Sequence, residues 1–333
     1  MALEVLFIGG SGNISEACSN LAHQRGMRLT LLNRGRRSAD LPAGLGHIQA
    51  DINDAPAAKA ALAGRSFDVV VNWIAFLPEQ VERDIDLFAG RCSQYIFISS
   101  ASAYQKPPRH YLVTESTPLE NPYWEYSRNK AACEARLERA YKETGFPYTV
   151  VRPSLTYSRF MLPAATGGHD YTLIERMRAG KKIVVHGDGT SLWVMTHHRD
   201  FALGFTGVLG NKQAIGQAYH ITSDEVLNWD QIYTTMAEAA GVKPHFVHVP
   251  TDLIARTVPE WGPGLLGDKA WSLVFDNSKI KKLVPEFKAV IPFSAGMKEW
   301  VDWMDADPRH RGISPEANDA QERILQAYER SGI

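Results

Sequence analysis

The sequence predicts an α/β protein built on a doubly wound parallel β-sheet with helices on both faces. Short, continuously apolar runs alternate with helical segments through the first half of the chain, as in LEVLFI, FDVVVN, QYIFIS and YTVVRP. Such runs are typical of strands buried on both faces, because each side of the sheet is covered by helices. The first run also ends in a glycine-rich turn, GGSGNIS, that opens a helix.

The same patterns give each element in order. Six strands are expected, in LEVLFI, MRLTLLNRG, HIQADIND, FDVVVNWIAF, QYIFISSASAY and YTVVRPSLTY. Between them, 3.6-residue periodicity predicts helices: one that follows the glycine turn and continues through Arg25, then Pro56–Ala63, Pro78–Cys92 and Ser127–Thr144.

The glycine-rich turn predicts a dinucleotide site. Glycines permit a tight turn and let the backbone approach a pyrophosphate, which sits on the helix N-terminus. The alternative is an ordinary tight turn, but a first strand-to-helix turn is the context that this fingerprint requires. Ser15 stands in place of the usual third small residue. Cofactor contacts are therefore assigned to Gly9, Ser11, Gly12, Asn13 and Ile14.

The end of the second strand favours NADP, with NAD as the alternative. The segment NRGRR, residues 33–37, stands where an acidic residue would bind the ribose 2′-hydroxyl of NAD. The guanidiniums of Arg34 and Arg36 suit a 2′-phosphate, and Asn33 is assigned to the same site. The other interpretation is a solvated basic loop. Asp51 and Ile52, after the third strand, should flank the adenine, although Asp51 equally suits a plain helix cap.

Three further side chains are expected to meet at the carboxyl ends of the strands. Ser100 follows the fifth strand, while Tyr126 and Lys130 lie four residues apart and so on one face of a helix. A phenol titrates near 10, and a neighbouring ammonium and an oxidised nicotinamide should both lower that pKa, which would make Tyr126 a proton acceptor and donor. The alternative to a catalytic role is a structural one: Tyr126 and Lys130 would belong to a capped helix start, and Ser100 to a solvated strand end.

The chain resembles the extended short-chain dehydrogenases/reductases, the NAD(P)-dependent epimerase/dehydratase family. The resemblance rests on the glycine turn, on the Tyr-x-x-x-Lys pair and on the segments DVVVNWIA, FISSASAY, VVRPSLTY and GDGTSLW. The resemblance covers nearly the whole chain. It implies an oxidoreductase or epimerase that acts on a hydroxyl or carbonyl of a sugar-like substrate by Tyr-assisted hydride transfer. It also implies a homodimer formed by helices 78–92 and 127–144, and cofactor contacts at Asn72, Ile74, Ser99, Pro153 and Leu155.

Residues 1–158 are thus expected to form an NAD(P)-binding Rossmann domain, to which a strand near 216–222 returns. Residues 159–215 and 223–333 are expected to form a smaller, interleaved substrate-binding region. Within it the patterns predict a helix over Tyr171–Ala179, two short strands around Gly-Asp-Gly in KKIVVHGDGTSLWVMTH, a helix over 228–241, a loop at PEWGPGLLGD and a final amphipathic helix.

Two departures from the family pattern bear on the substrate. Ala101 and Ser102 occupy the place of the Asp-Glu pair of the dehydratases, which disfavours water elimination. Trp193 stands where many members carry an arginine for the substrate diphosphate, and enclosing a diphosphate without a cation is costly. We expect a sugar or related polyhydroxylated compound that contacts Ser100, Ser102 and Trp193. Arg159, Arg199 and His197 are the candidate replacement cations, and a nucleotide-sugar 4-epimerase is the alternative.

Net charge, residue spacing and hydropathy bear on three other possibilities: a nucleic-acid-binding protein, a metalloprotein and a membrane protein. A net charge of −1 and the intact Ser/Tyr/Lys set argue against a non-catalytic nucleotide- or RNA-binding protein, although stem-loop RNA-binding proteins share this fold. The three cysteines show no metal-ligand spacing. His245 and His248 are spaced loosely like metal ligands, but HFVHVP is predicted to be a strand, which points them to opposite faces, so we expect no metal. No segment reaches about 18 consecutive apolar residues, so we expect a cytoplasmic protein without membrane spans.

Overall fold

The computed structural model describes residues 2–35 and 41–332. Its strands are β1 (Glu4–Ile8), β2 (Arg28–Asn33), β3 (Gly46–Gln49), β4 (Phe67–Asn72), β5 (Cys92–Ile98), β6 (Leu112–Val113), β7 (Tyr148–Pro153), β8 (Leu155–Tyr157), β9 (Ile183–His186), β10 (Leu192–Trp193), β11 (Met195–His197), β12 (Gln217–Ile221), β13 (Leu227–Asn228), β14 (Phe246–Val249) and β15 (Val274–Phe275). Its helices are α1 (Ser15–Gln24), α2 (Ala55–Ala61), α3 (Pro78–Phe88), α4 (Glu125–Thr144), α5 (Thr172–Arg178), α6 (His198–Val208), α7 (Trp229–Ala239), α8 (Thr251–Thr257), α9 (Gly262–Gly264), α10 (Ser278–Leu283), α11 (Phe293–Ala306) and α12 (Pro315–Ser331).

Seven strands form one parallel sheet in the order β12-β7-β5-β4-β1-β2-β3. The doubly wound α/β fold class is therefore confirmed. The connections leave β1 towards β2 on one side and return to β4 on the other, so the strand order reverses between β1 and β4. Ligands of such sheets bind in the crevice at the carboxyl ends of the strands beside this reversal.

Side-chain alternation along β1 explains why the strands read as continuous apolar runs. Val5 and Phe7 belong to the core on one side of the sheet, together with residues of α1 and α6. Leu6 and Ile8 belong to the core on the other side, together with residues of α2, α3 and α4. Successive strand residues point to opposite faces, so a sheet covered on both sides requires an apolar residue at every position.

The second region differs from its predicted elements in two places. Around Gly-Asp-Gly the chain forms three short strands rather than two, and each pairs elsewhere: β9 with β14, β10 with β13 and β11 with β8. The predicted loop at 259–268 is instead helical, with a 3₁₀ turn over Pro259–Trp261, then α9, then a π-helical turn over Leu265–Lys269. Its prolines and glycines suggested a loop, but prolines are tolerated in a first helical turn.

The helices behind the predicted homodimer use their apolar residues within the chain itself. Val81, Ile85 and Phe88 of α3 and Leu137 of α4 are buried in the core against the sheet. The pairing of Arg136 with Glu82 then joins the two helices across their more exposed faces. The homodimer remains a prediction, and these four residues no longer support it.

The last helix, α12, packs against α8 and β9 rather than standing free. Ile324 and Leu325 on its inner face are buried in a core cluster that includes Ile254 of α8 and Val184 of β9. Of the helices formed by residues 2–35 and 41–332, none is both long enough and apolar enough to cross a membrane.

Candidate active site

The glycine turn after β1 has a backbone that only glycine adopts readily. Gly9 and Gly10 have φ angles of 101° and 95°, in the left-handed region that side chains disfavour. A Cβ at Gly10 would also lie 2.7 Å from Cδ2 of Leu31. The turn therefore lies directly on the sheet and leaves the opening of α1 accessible to a ligand.

Side chains from α1 hold this turn in place. The hydroxyl of Ser15 accepts a hydrogen bond from the Gly12 amide at 2.8 Å, and the hydroxyl of Ser19 donates to the Gly10 carbonyl at 2.7 Å. Asn13 donates to the Thr156 carbonyl at 2.8 Å, which links the turn to β8. Ser15 thus takes over the usual small residue's position and adds a hydrogen bond there.

The turn opens onto a cleft of about 890 Å³ at the carboxyl ends of the strands, within the usual size range of small-molecule sites. Most of the residues assigned to the cofactor from the sequence line this one cleft: Gly9, Ser11, Gly12, Asn13, Ile14, Asn33, Arg34, Asp51, Ile52, Ile74, Ser99, Tyr126, Lys130, Pro153 and Leu155. Ser100, assigned to catalysis and to the substrate, lines it as well. Arg36 and Arg37 lie outside the described residues.

Asn72 does not line the cleft. Its buried amide donates to Asp84, and its carbonyl oxygen accepts from the Ile74 amide at 2.8 Å. Asp84 is itself buried and also accepts from the Tyr95 hydroxyl at 2.6 Å. Both ends of the Asn72 side chain are therefore engaged in shaping the loop after β4, so Asn72 positions Ile74 rather than contacting a ligand.

Arg34 lies at the end of the cleft predicted to hold the adenosine. Its guanidinium is 3.8 Å from the Asp51 carboxylate, and its side chain is 58% exposed. Asn33 accepts a hydrogen bond from the Gly35 amide at 2.9 Å, which holds the bend that follows β2. An exposed guanidinium beside a carboxylate is compatible with either cofactor, so the preference for NADP stays a prediction.

Ser100, Tyr126 and Lys130 meet at the other end of the cleft. Tyr126 is the second residue of α4, and Lys130, one turn later, places its ammonium 5.7 Å from the centroid of the Tyr126 ring. The buried Lys130 ammonium donates to the carbonyls of Ala75 and Ile98, each at 2.7 Å. Ile98 is the last residue of β5 and Ala75 lies in the loop after β4, so these two segments together fix the ammonium.

The pKa shifts at this site have burial as their largest cause. Burial raises the pKa of Tyr126 to about 12, and a hydrogen bond with Ser100 acts in the opposite direction. Burial also lowers the pKa of Lys130 to about 8, against the charges of Cys133 and Glu134. The direction for Tyr126 is opposite to that expected from the sequence, because burial of the phenol disfavours its charged form. A lowered phenol pKa would thus need the charge of a bound oxidised nicotinamide.

A chain of buried hydroxyls extends from Ser100 into the protein. Ser102 and Ser100 have their hydroxyls 2.9 Å apart, and the Ser102 amide donates to the Ser100 hydroxyl at 3.1 Å. The Ser127 hydroxyl donates to that of Ser102 at 2.8 Å. Ser102, in the turn after β5, thereby holds the Ser100 hydroxyl, and Ser127 of α4 holds Ser102 in turn.

A smaller chamber of about 220 Å³ adjoins the catalytic residues. It is lined by Ser100, Ala101, Ser102, Trp124, Tyr126, Pro153, Ser154, Leu155, Trp193, Asp268, Lys269 and Phe275. Three of the residues assigned to the substrate, Ser100, Ser102 and Trp193, therefore line a single chamber beside Tyr126. The indole nitrogen of Trp193 is buried and has no hydrogen-bond partner among the described residues.

The three side chains predicted to replace the diphosphate-binding arginine interact with other residues of the protein. Arg159 pairs with Glu16 at 2.8 Å, and Arg199 pairs with Glu299 at 2.5 Å. The ring of His197 accepts a hydrogen bond from the Arg199 amide at 3.3 Å and so caps α6. The structure does not bring Arg159 or His197 to the walls of the chamber.

Sequence reasoning missed the residues that complete the chamber on its far side. Asp268 and Lys269 come from the π-helical turn that was predicted to be a loop. Asn121, also buried, donates to the carbonyls of Ser102 and Gly267 at 2.8 and 2.6 Å and joins this turn to the catalytic loop. The available signal was an adjacent Asp-Lys pair within an otherwise apolar, glycine-rich segment.

The described part of the chain does not bring together a set of side chains that could bind a metal ion. Residues 2–35 and 41–332 contain no cluster of three or more His, Cys, Asp or Glu side chains that could hold a metal ion. His248, one of the closely spaced histidines, pairs with Asp230 at 2.8 Å.

Comparisons with known proteins agree with this geometry. The sequence profile of the NAD dependent epimerase/dehydratase family matches residues 5–222. The chain is 25% identical over 289 residues to 2'-dehydrokanamycin reductase of Streptomyces kanamyceticus, covering 86% of this chain and 80% of that protein. It is 26% identical over 261 residues to the chloroplast stem-loop binding protein of 41 kDa b of Arabidopsis thaliana, covering 74% of this chain and 65% of that protein's length.

Among solved structures, the fold is similar to that of dTDP-glucose 4,6-dehydratase from Bacillus anthracis in complex with NAD. The TM-score is 0.73 at 18% identity, covering 92% of this chain and 98% of the other. At this identity the likeness concerns the fold.

Proposed function

The chain belongs to the NAD dependent epimerase/dehydratase family, a family of NAD(P)-dependent oxidoreductases and epimerases, and from that premise we propose its reaction. It moves hydride between NAD(P) and a hydroxyl or carbonyl carbon of a sugar-like substrate that carries no nucleoside diphosphate. The observation that carries the proposal is the meeting of Ser100, Tyr126 and Lys130 where the cofactor cleft joins a small chamber walled by Trp193.

The residues of the cleft fit a dinucleotide. Gly9 and Gly10 bring the backbone close to the start of α1, where the free amides of the helix favour a pyrophosphate. An ammonium has three donors, and Lys130 gives two to backbone carbonyls. Its third donor remains for a ribose hydroxyl. When bound there, the nicotinamide supplies or accepts the hydride.

The proton is handled by this chain's own residues. Tyr126 takes the proton of the substrate hydroxyl as the carbon is oxidised, and returns it in reduction. Ser100 donates a hydrogen bond to the reacting oxygen, and its own hydroxyl is held by that of Ser102, to which Ser127 donates in turn. The high pKa of the unliganded Tyr126 means that the phenol is protonated at rest, as reduction of a carbonyl requires.

The chamber supports a small substrate. Its volume of about 220 Å³ lies below the roughly 300 Å³ at which sites for drug-sized ligands begin. Trp193, at the position of the family's diphosphate-binding arginine, provides an aromatic wall. Arg159 and Arg199, the other candidate cations for a diphosphate, are paired with carboxylates.

The test combines turnover with binding. Reduction of NADP and NAD by a panel of free sugars, sugar acids and polyols is followed by absorbance, and oxidation of the reduced cofactors by the matching carbonyl compounds. UDP, GDP and dTDP are titrated into the cofactor-loaded protein by calorimetry. We expect turnover within the panel, weakened in Trp193→Ala, and no micromolar binding of a nucleoside diphosphate. Micromolar binding that weakens in Arg159→Ala or Arg199→Ala would instead establish the nucleotide-sugar epimerase alternative.

One relative favours testing a non-catalytic function as well, because it is named for stem-loop binding. We weigh this function below catalysis since the Ser100, Tyr126 and Lys130 side chains are present together on one cleft. A salt-dependent shift of a structured RNA by this chain, without any redox turnover, would reverse that order.

A further inference from the structure

A buried cluster of three charges stands beside the chamber, on the wall opposite the cofactor residues. The Asp268 carboxylate lies 3.7 Å from the Lys106 ammonium and 3.8 Å from the Lys269 ammonium. The side chain of Lys106 is fully buried, and those of Asp268 and Lys269 are each 12% exposed. Asp268 and Lys269 line the chamber that contains Ser100 and Tyr126.

The cluster is incompletely hydrogen-bonded. Charge-assisted hydrogen bonds normally span about 2.7–2.9 Å, so both ion pairs are roughly an ångström too long to be direct hydrogen bonds. Lys106 donates to the Tyr104 carbonyl at 3.1 Å. By contrast, within residues 2–35 and 41–332 neither the Lys269 ammonium nor the Asp268 carboxylate has a hydrogen-bond partner within 3.5 Å. Buried charges without such partners are costly.

The backbone holds this cluster rigidly against the catalytic helix. A Cβ on Gly267 would lie 2.8 Å from Cβ of Trp124, so the glycine allows the π-helical turn to touch the start of α4. Asn121 fixes the contact from both sides, since it also accepts from the amides of Tyr123 and Trp124 at 3.1 and 3.2 Å. The Lys269 ammonium then lies 5.4 Å from the Trp124 ring.

Lys269 also stands where the chamber opens outwards. It lines both the chamber and an adjoining groove of about 910 Å³, and among residues 2–35 and 41–332 only Trp124 and Tyr126 share that position with it. Lys269 and Tyr126 therefore both border the junction of the groove and the chamber.

We propose that Lys269 binds a single anionic group of the substrate, a carboxylate or a monophosphate, while Asp268 accepts a hydrogen bond from a neighbouring substrate hydroxyl. The Lys106 ammonium, 3.7 Å from the Asp268 carboxylate, opposes its charge on the buried side of the cluster. The unpaired indole N–H of Trp193 offers one more donor in the same chamber. The inference rests on the proposed function and narrows its substrate class to hydroxylated acids or phosphorylated sugars.

The test compares matched compounds on the cofactor-loaded protein. Glucose, galactose and mannose are each titrated by calorimetry as the free sugar, the uronic acid and the 6-phosphate, and cofactor reduction is followed in parallel. In at least one series the acid or the phosphate should bind about tenfold to a hundredfold more tightly than the free sugar. Comparison of the uronic acid with the 6-phosphate of the same sugar shows whether the chamber binds a carboxylate or a monophosphate.

Variants of Lys269 isolate the contribution of the ammonium. Lys269→Met should abolish the preference for the anion, Lys269→Arg should retain part of it, and Lys282→Met, at an exposed lysine on α10, should leave it unchanged. Thermal unfolding shows whether each variant remains folded. Equal binding of free sugar and anion, an anion preference that survives in Lys269→Met, or no binding in any series would overturn the inference.

The two proposals fail in different ways. A Lys269-dependent anion preference without turnover of any compound would leave the anion site standing and refute the redox function. Turnover of neutral sugars with a KM unaffected in Lys269→Met would leave the redox function standing and refute the anion site.

Discussion

The cofactor cleft and the substrate chamber meet at Tyr126, but they differ in which parts of the chain form their walls. The cleft is lined by residues at the carboxyl ends of neighbouring strands, and the left-handed glycines 9 and 10 bring the backbone itself into its wall. The chamber is formed by side chains from segments far apart in sequence, among them Trp193, Asp268 and Phe275. A ligand shared by a whole family can be bound through backbone geometry, whereas a particular substrate needs particular side chains.

Tyr126 tests the point where the two regions join. Tyr126→Phe removes the hydroxyl that exchanges the proton, so turnover should fall by about two to four decades while cofactor affinity changes little. Steady-state kinetics and cofactor titration measure the two effects. Tyr141→Phe, at a tyrosine that is 43% exposed, is the matched control. Near-native turnover in Tyr126→Phe would show that the catalytic assignment is wrong.

Gly10 tests the backbone character of the cleft. Gly10→Ala combines a strained φ with a Cβ that lies 2.7 Å from Leu31, so the free energy of unfolding should fall by about 2–4 kcal/mol. Cofactor affinity should fall too, because the turn must move. In Gly26→Ala the φ of 77° is similar but nothing lies within 4 Å, so a loss of only about 1–2 kcal/mol is expected. Equal losses in urea denaturation of the two variants would contradict a role for the close approach.

Arg34 tests whether any side chain of the cleft selects its ligand. If Arg34 meets a 2′-phosphate, Arg34→Ala should weaken NADP binding by about tenfold to a hundredfold and NAD binding far less. Arg34→Ala/Arg36→Ala should extend the effect, and Arg65→Ala, at another exposed arginine, serves as the control. Tighter binding of NAD than of NADP by the unmodified chain would refute the preference and leave Asn33 as a ribose ligand.

Lys130 gives the smallest effect, a dependence of stability on pH. Its pKa is lowered from 10.5 to about 8, so between these values the unfolded chain binds more protons than the folded chain. The free energy of unfolding of the cofactor-free protein should therefore rise with pH in this window, by about 1–2 kcal/mol from pH 8 to 9.5. Lys130→Met should show a smaller rise, because Lys106, whose pKa is also lowered by burial, still contributes. Lys59→Met, on the exposed side of α2, should keep the full rise. An identical pH slope in Lys130→Met would show that the pKa is not lowered.

The amino-acid sequence by itself determined the parallel sheet, the glycine turn and the Ser100, Tyr126 and Lys130 set. These features are local: an apolar strand, the turn that follows it, and two residues one helical turn apart carry their meaning within a few positions. Their places at the carboxyl ends of the strands then follow from the topology of a doubly wound sheet.

Tertiary structure alone decided what the remaining polar residues do. Asn72 faces the buried Asp84 rather than the cleft, and Arg159 pairs with a carboxylate of α1. Lys106 and Asp268 meet only because the segment that carries Asp268 folds into a π-helical turn against the start of α4. Each of these outcomes depends on which partner a distant segment supplies, and a buried charge takes the partner that packing brings to it. The periodicity of a sequence carries no information about such long-range pairing.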